Sequence, residues 1–306
     1  MLNFLGFAKG WVVPKPPTFG IFHIAMLLVI IAGIVLVCIF MRKTSDKTMR
    51  IVLLVSGGVM LLLEVFRQIY NFTVEGPAHE GPGRFFWQWF PFQLCSIVMY
   101  FYIIAGFLEK DSWFKQAFLL FIASYGLFGG ILSMAVPGAV IWNTNAGLII
   151  MQTTIHHILM ILVAVYLIVG NKLNLKRLNF NFLTKAFVVF CVSAAIAILI
   201  NCIVIWSVGL GNSHNINMFF LNPYVPSAFE LPLFGDMGLP YVVWLLIFII
   251  GYSALCFGTL WAVRGFQLLA ARKKTTTDPQ AAPEATPEAT RKKAAPQTAR
   301  KTTPKK

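Results

Sequence analysis

Long apolar runs separated by short polar links dominate this chain. Seven of them, about 21–41, 51–70, 91–108, 114–135, 147–170, 184–208 and 239–263, reach or come close to the roughly 20 residues that a helix needs to cross a hydrocarbon core. In lipid the backbone must satisfy its own hydrogen bonds, so runs of this length predict helices. The expected fold is all-α: a polytopic transmembrane helix bundle of about seven spans over residues 21–263. Residues 1–20 are apolar but broken by Pro14, Pro16 and Pro17, which predicts a short interfacial segment. Residues 264–306 are basic, and from about 271 they are rich in Ala, Pro, Thr and Lys with no aromatic residue. Such a tail buries too little apolar area to offset its ordering entropy, so disorder is expected there.

Charge then orients the bundle. The link 42–50 carries Arg42, Lys43, Lys47 and Arg50, the third link carries Lys110, and 171–183 carries Lys172, Lys176 and Arg177. The alternating links hold only Arg84 or no basic residue at all. By the positive-inside rule the N-terminus is expected outside and the C-terminus in the cytoplasm. Charged residues make up only 12% of the chain, about half the usual share in a soluble domain, which supports a multi-pass protein of the cell membrane. The net charge of +14 does not point to nucleic acid, because eleven of the 25 Lys and Arg lie from Arg264 onward, beside the last span. The partners expected are membrane phospholipids, with anionic headgroups near the basic tail.

Candidate chemistry comes from polar residues at membrane depth, which are costly and usually face the bundle interior. Glu64, Arg67 and Gln68 share one face of the second span at i, i+3 and i+4. In the fifth span Gln152 pairs in register with His156, and Thr153 with His157. Gln93 and Cys95 open the third run just after Pro91; Asn201 lies late in the sixth. Asn215 and Asn217 belong to the long link 209–238, an aromatic-rich segment expected to fold back on the bundle. With the topology above, all of these fall in the outer half of the membrane and predict one outward-facing polar cavity. Gln93 and Cys95 would sit about 200° apart on a regular helix, so facing one spot requires a break that Pro91 permits. The five cysteines form no CxxC pair, and adjacent histidines on a helix diverge by about 100°, so neither a metal site nor any cofactor is expected.

"FPFQLCSIVMY" on one span, "EVFRQ" on the span before it, "HHILMILVAVYLI" two spans later and "NMFFLNP" before the last span resemble the YwaF-like family of integral membrane proteins over about residues 50–260. Eukaryotic relatives of that family are phospholipid acyltransferases that use a membrane-embedded cysteine and histidine. The resemblance implies that Cys95 is the nucleophile and His157 its base, with His156 as the alternative base. Glu64 and Arg67 would match the acidic and basic positions of the preceding span. Gln93 stands where bacterial relatives often carry histidine. The function expected is a lipid acyltransferase or lipid hydrolase, with Gln93, Asn201 or a loop asparagine as candidate donors to an oxyanion. Two other classes remain open on the residues alone. One is a small-solute or proton-coupled transporter using Glu64, Arg67 and the histidines, and the other is a structural membrane protein locked by polar contacts.

Overall fold

The computed structural model describes residues 11–75, 90–110, 112–137, 144–173, 175, 178–209, 216–224 and 240–277. Eight α-helices make up most of them: α1 (Ile21–Phe40), α2 (Asp46–Tyr70), α3 (Ile97–Phe107), α4 (Trp113–Phe121), α5 (Leu127–Ala135), α6 (Gly147–Val169), α7 (Phe180–Val208) and α8 (Tyr241–Thr277). A π-turn at Ile122–Gly126 joins α4 to α5, and a second, Asn71–Glu75, extends α2. Among the described residues, six helical stretches are long and apolar enough to cross a membrane, α4 to α5 counting as one. Many large apolar side chains on α1 and α8 are exposed, such as Leu28, Ile31, Leu246 and Ile250. Lipid is the solvent that suits such faces. The protein is a multi-pass, all-helical membrane protein.

The third expected span is the exception. Its helix is only the eleven residues of α3, about 16 Å of rise against a core of roughly 30 Å. Residues 90–96 form an irregular turn instead of the first helical turns. Pro91 bars a helix from running through it from the N-terminal side but is tolerated in a first turn, so the proline alone does not set the start at Ile97. Phe92 N donates to Phe90 O, and regular helical bonding begins with Ile97 N to Gln93 O at 3.0 Å.

Helix ends follow local chemistry. Ser45 caps α2 by accepting from Thr48 N at 3.1 Å, and Asn179 caps α7 by accepting from Phe182 N at 2.8 Å. The buried face of α2 runs through Met49, Leu53, Gly57, Met60, Glu64 and Arg67, the three-to-four spacing of a helix with one side against the core. α2 packs closely on α3 because both present glycine there. A Cβ at Gly57 would come within 2.7 Å of Ile103, and one at Gly106 within 2.6 Å of Leu54.

α6 is the central helix, packed on α1, α2, α5 and the π-turn 122–126. Residues 11–13 are not helical but lie along its start: Gly147 N donates to Trp11 O and Val13 N to Asn145 O. The first part of the expected interfacial segment, residues 1–10, lies outside the described residues. The chain divides into two compact units, Met1–Ala262 and Val263–Lys306. The second is helical as far as Thr277, past the point where the tail was expected to begin. Ala271 to Thr277 contain no glycine or proline, and Pro279 is the first helix breaker.

Candidate functional site

The site grows from one buried carboxylate. Glu64 is 2% exposed and sits on the buried face of α2. Its Oε1 accepts from Arg67 Nη2 at 2.9 Å, Arg67 Nε at 3.2 Å and Gln68 Nε2 at 2.6 Å. Its Oε2 accepts from Gln152 Nε2 at 3.2 Å, which ties α2 to α6. A charge taken out of water is tolerable only when paired and hydrogen-bonded in this way.

One turn along α6 from Gln152 come the two histidines, both 3% exposed. His156 Nε2 donates to the main-chain oxygen of Cys95 at 3.1 Å. A carbonyl can only accept, so this nitrogen carries the proton, and in the neutral ring Nδ1 keeps its lone pair. His157 shows the opposite tautomer: Nδ1 donates to Thr153 O at 2.7 Å, leaving the lone pair on Nε2. Among the described residues, His156 Nδ1, His157 Nε2 and Gln152 Oε1 are buried with no hydrogen-bond partner. Both side-chain atoms of Asn71, at the end of α2, are in the same condition. Buried polar atoms are normally satisfied, so each of these calls for a reason beyond packing. The Arg67 guanidinium is close enough to act electrostatically on Cys95, His156 and His157.

Gln93 and Asn201 face another task. Asn201, fully buried near the end of α7, accepts from Met218 N at 2.8 Å and donates to Met218 O at 3.1 Å. Gln93 donates to Asn217 O at 3.1 Å and accepts from Phe219 N at 3.0 Å. Asn217 Oδ1 in turn accepts from Asn222 N at 2.9 Å. These amides hold residues 216–222 inside the bundle, where Ile216, Met218, Phe219 and Leu221 are fully buried. Phe219 and Phe220 have φ of 58° and 59°, a left-handed conformation that bulky residues rarely adopt and that costs about 1–3 kcal/mol each. The amide clamps and the packing of Phe219 on Phe92 and Phe190 maintain it.

Of the residues singled out in the sequence, Glu64, Arg67, Gln68 and Gln152 thus form one hydrogen-bonded group. His156 reaches the turn of Cys95, Gln93 joins that turn to Asn217 and Phe219 of the segment 216–222, and Asn201 joins the segment to α7. His157 follows His156 on α6, with their ring centroids 5.5 Å apart, while Asn215 lies outside the described residues. Three participants were missed. Asn71 repeats the α2 face seven residues after Glu64, a signal present in the spacing. Asn222 donates to Ile216 O inside the buried segment, and Tyr252 on α8 is within electrostatic reach of Cys95; no local pattern marks either one.

Comparison with known proteins gives one family: a model described as the TMEM164 family matches residues 18–260. It does not carry the YwaF-like naming, and it extends about thirty residues further toward the N-terminus than that resemblance did. No curated protein and no solved structure matches the chain.

Proposed function

The chain belongs to the TMEM164 family, a family of multi-pass membrane proteins, and we propose that it is a lipid acyltransferase or lipid hydrolase with Cys95 as nucleophile and His157 as base. The observation that carries this reading is His156 bonded to the Cys95 carbonyl, with the buried His157 next to it on α6, each imidazole having one nitrogen spent on a carbonyl and the other unpartnered among the described residues. His157 Nε2 takes the thiol proton, and the Cys95 thiolate attacks the acyl carbonyl of a phospholipid. The tetrahedral intermediate collapses, its C–O bond breaks, and the imidazolium returns the proton to the departing alkoxide. An alcohol or water then attacks the thioester with His157 again as base, releasing the new ester or the free acid and restoring the thiol.

His156 serves as a positioning residue. Its bond to the Cys95 carbonyl fixes the turn that carries the thiol, and its proton is committed there. The Glu64–Arg67 pair supplies a fixed positive group close to the developing charges. With the orientation that the basic links predict, this group of polar residues lies in the outer half of the bilayer.

Purified protein incubated with a mixed phospholipid and lysophospholipid substrate tests the reading by product mass spectrometry. Loss of acyl transfer and hydrolysis in Cys95→Ser and His157→Ala, with residual activity in His156→Gln, is expected. Full activity in Cys95→Ser overturns it.

A further inference from the structure

At the end of the bundle where α2 begins, the links before α2, before α4 and after α6 converge on Asp46. Lys110 Nζ lies 2.7 Å from Asp46 Oδ2 and Lys172 Nζ 3.7 Å from Asp46 Oδ1. Three cations are fixed there by main-chain carbonyls. Arg50 Nε donates to Gly106 O at 3.0 Å, Lys115 Nζ to Leu108 O at 2.9 Å, and Lys172 Nζ to Thr44 O. Arg50 and Glu64 are fourteen residues apart on α2, about 21 Å of helix. This cluster is therefore separate from the Cys95 centre.

Its charge does not balance. The described residues of 41–50, 108–116 and 170–185 carry eight cationic side chains against two carboxylates, Asp46 and Glu109. Asp46 is already shared by Lys110 and Lys172. Lys115 is only 2% exposed, and the charges nearest to it include Arg50 and Lys110 as well as Asp46. A buried ammonium crowded by like charges is costly, and an anion that bridges the cations relieves that cost. The carbonyl tethers hold the cations in place beforehand, so an incoming anion has little left to order.

The surroundings indicate what kind of anion. Trp113 and Phe114 on the first turn of α4 are 44% and 59% exposed, and Phe180 at the start of α7 is 81% exposed. Aromatic side chains at the level of a cation cluster are the pattern of a membrane–water interface. A ligand resting there meets positive charge at its head and apolar surface along its body. We propose that this cluster binds the phosphate of an anionic membrane lipid, with Arg50, Lys115 and Lys172 as the cations that contact it.

The test uses the full chain in phosphatidylcholine nanodiscs, with and without phosphatidylglycerol, read by native mass spectrometry of bound lipid. Parent protein should retain phosphatidylglycerol, and Arg50→Gln/Lys172→Gln should bind it at least about tenfold more weakly, the loss of one charged hydrogen bond or more. Lys43→Gln/Lys47→Gln removes the same charge from the first link and should bind like the parent. Should the first double variant not fold, Arg50→Gln alone, at an exposed position, carries the same comparison. Equal loss in both double variants would reduce the effect to diffuse charge and overturn the site, as would parent protein that shows no preference for phosphatidylglycerol. Inorganic phosphate added to the parent should leave retention unchanged; displacement of the lipid at millimolar phosphate would reassign the site to a soluble phosphate compound and overturn the lipid assignment.

Discussion

Glu64→Ala is the perturbation that strains the site most. The substitution deletes the acceptor of four hydrogen bonds, two from Arg67 and one each from Gln68 and Gln152. It leaves the guanidinium of Arg67, whose side chain is 10% exposed, without its carboxylate. Breaking a buried pair from one side costs about 3–5 kcal/mol, most of it the penalty on the remaining charge. Arg67→Met removes two of those bonds but is milder, because the carboxylate keeps two amide donors. The double variant Glu64→Gln/Arg67→Met removes both charges and keeps an acceptor for Gln68 or Gln152. It should lie closer to the parent than Glu64→Ala does. Equilibrium unfolding of purified protein in mixed micelles, titrated with SDS, measures all three. A Glu64→Ala cost within about 0.5 kcal/mol, the range of ordinary surface changes, would show that the pair is solvated and the buried network misassigned.

The close approach of α2 and α3 predicts that Gly57→Ala destabilises by about 1–3 kcal/mol through overpacking, whereas Gly58→Ala, with nothing within 4 Å of its Cβ, is neutral or gains up to about 1 kcal/mol of helix propensity. Equal unfolding midpoints for the two would contradict the packing. Asn201→Ala should release residues 216–222, since two main-chain groups of Met218 lose their partner; faster amide exchange of Met218 and Phe219 by mass spectrometry checks it, and unchanged protection would refute the clamp. A reporter fused after Lys306 should read cytoplasmic and one inserted at Ser213 external; both on one side would undo the orientation.

The membrane helices were legible because lipid imposes long apolar runs with no polar interruption, and six of the seven expected spans have their helices where the runs lie. The third was misjudged over its first turns. An apolar run around Pro91 reads the same whether it is a helix or a turn, and nothing in the residues after Pro91 marks the delayed start at Ile97. The polar network was legible for a related reason. Glu64, Gln152 and His156 are too costly in lipid to be anything but inward-facing, and helical spacing shows which of them share a face. What no spacing reveals is pairing between distant segments. Gln93 and Asn201 are 108 residues apart, and only the folded chain brings both to the turn at Met218. The left-handed Phe219 and Phe220 were equally hidden, because phenylalanine carries no preference for that conformation.

Acylation of Cys95 is the most direct test of its role as the nucleophile. Purified protein is mixed with a phospholipid bearing an isotope-labelled acyl chain, quenched in acid, and its cysteine peptides are mapped by mass spectrometry. The predicted result is a hydroxylamine-sensitive labelled acyl group on Cys95 and not on Cys38, Cys191, Cys202 or Cys256, strongly reduced in folded His157→Ala. Label absent from Cys95, or spread evenly over all five cysteines, would contradict the assignment of Cys95 as the nucleophile.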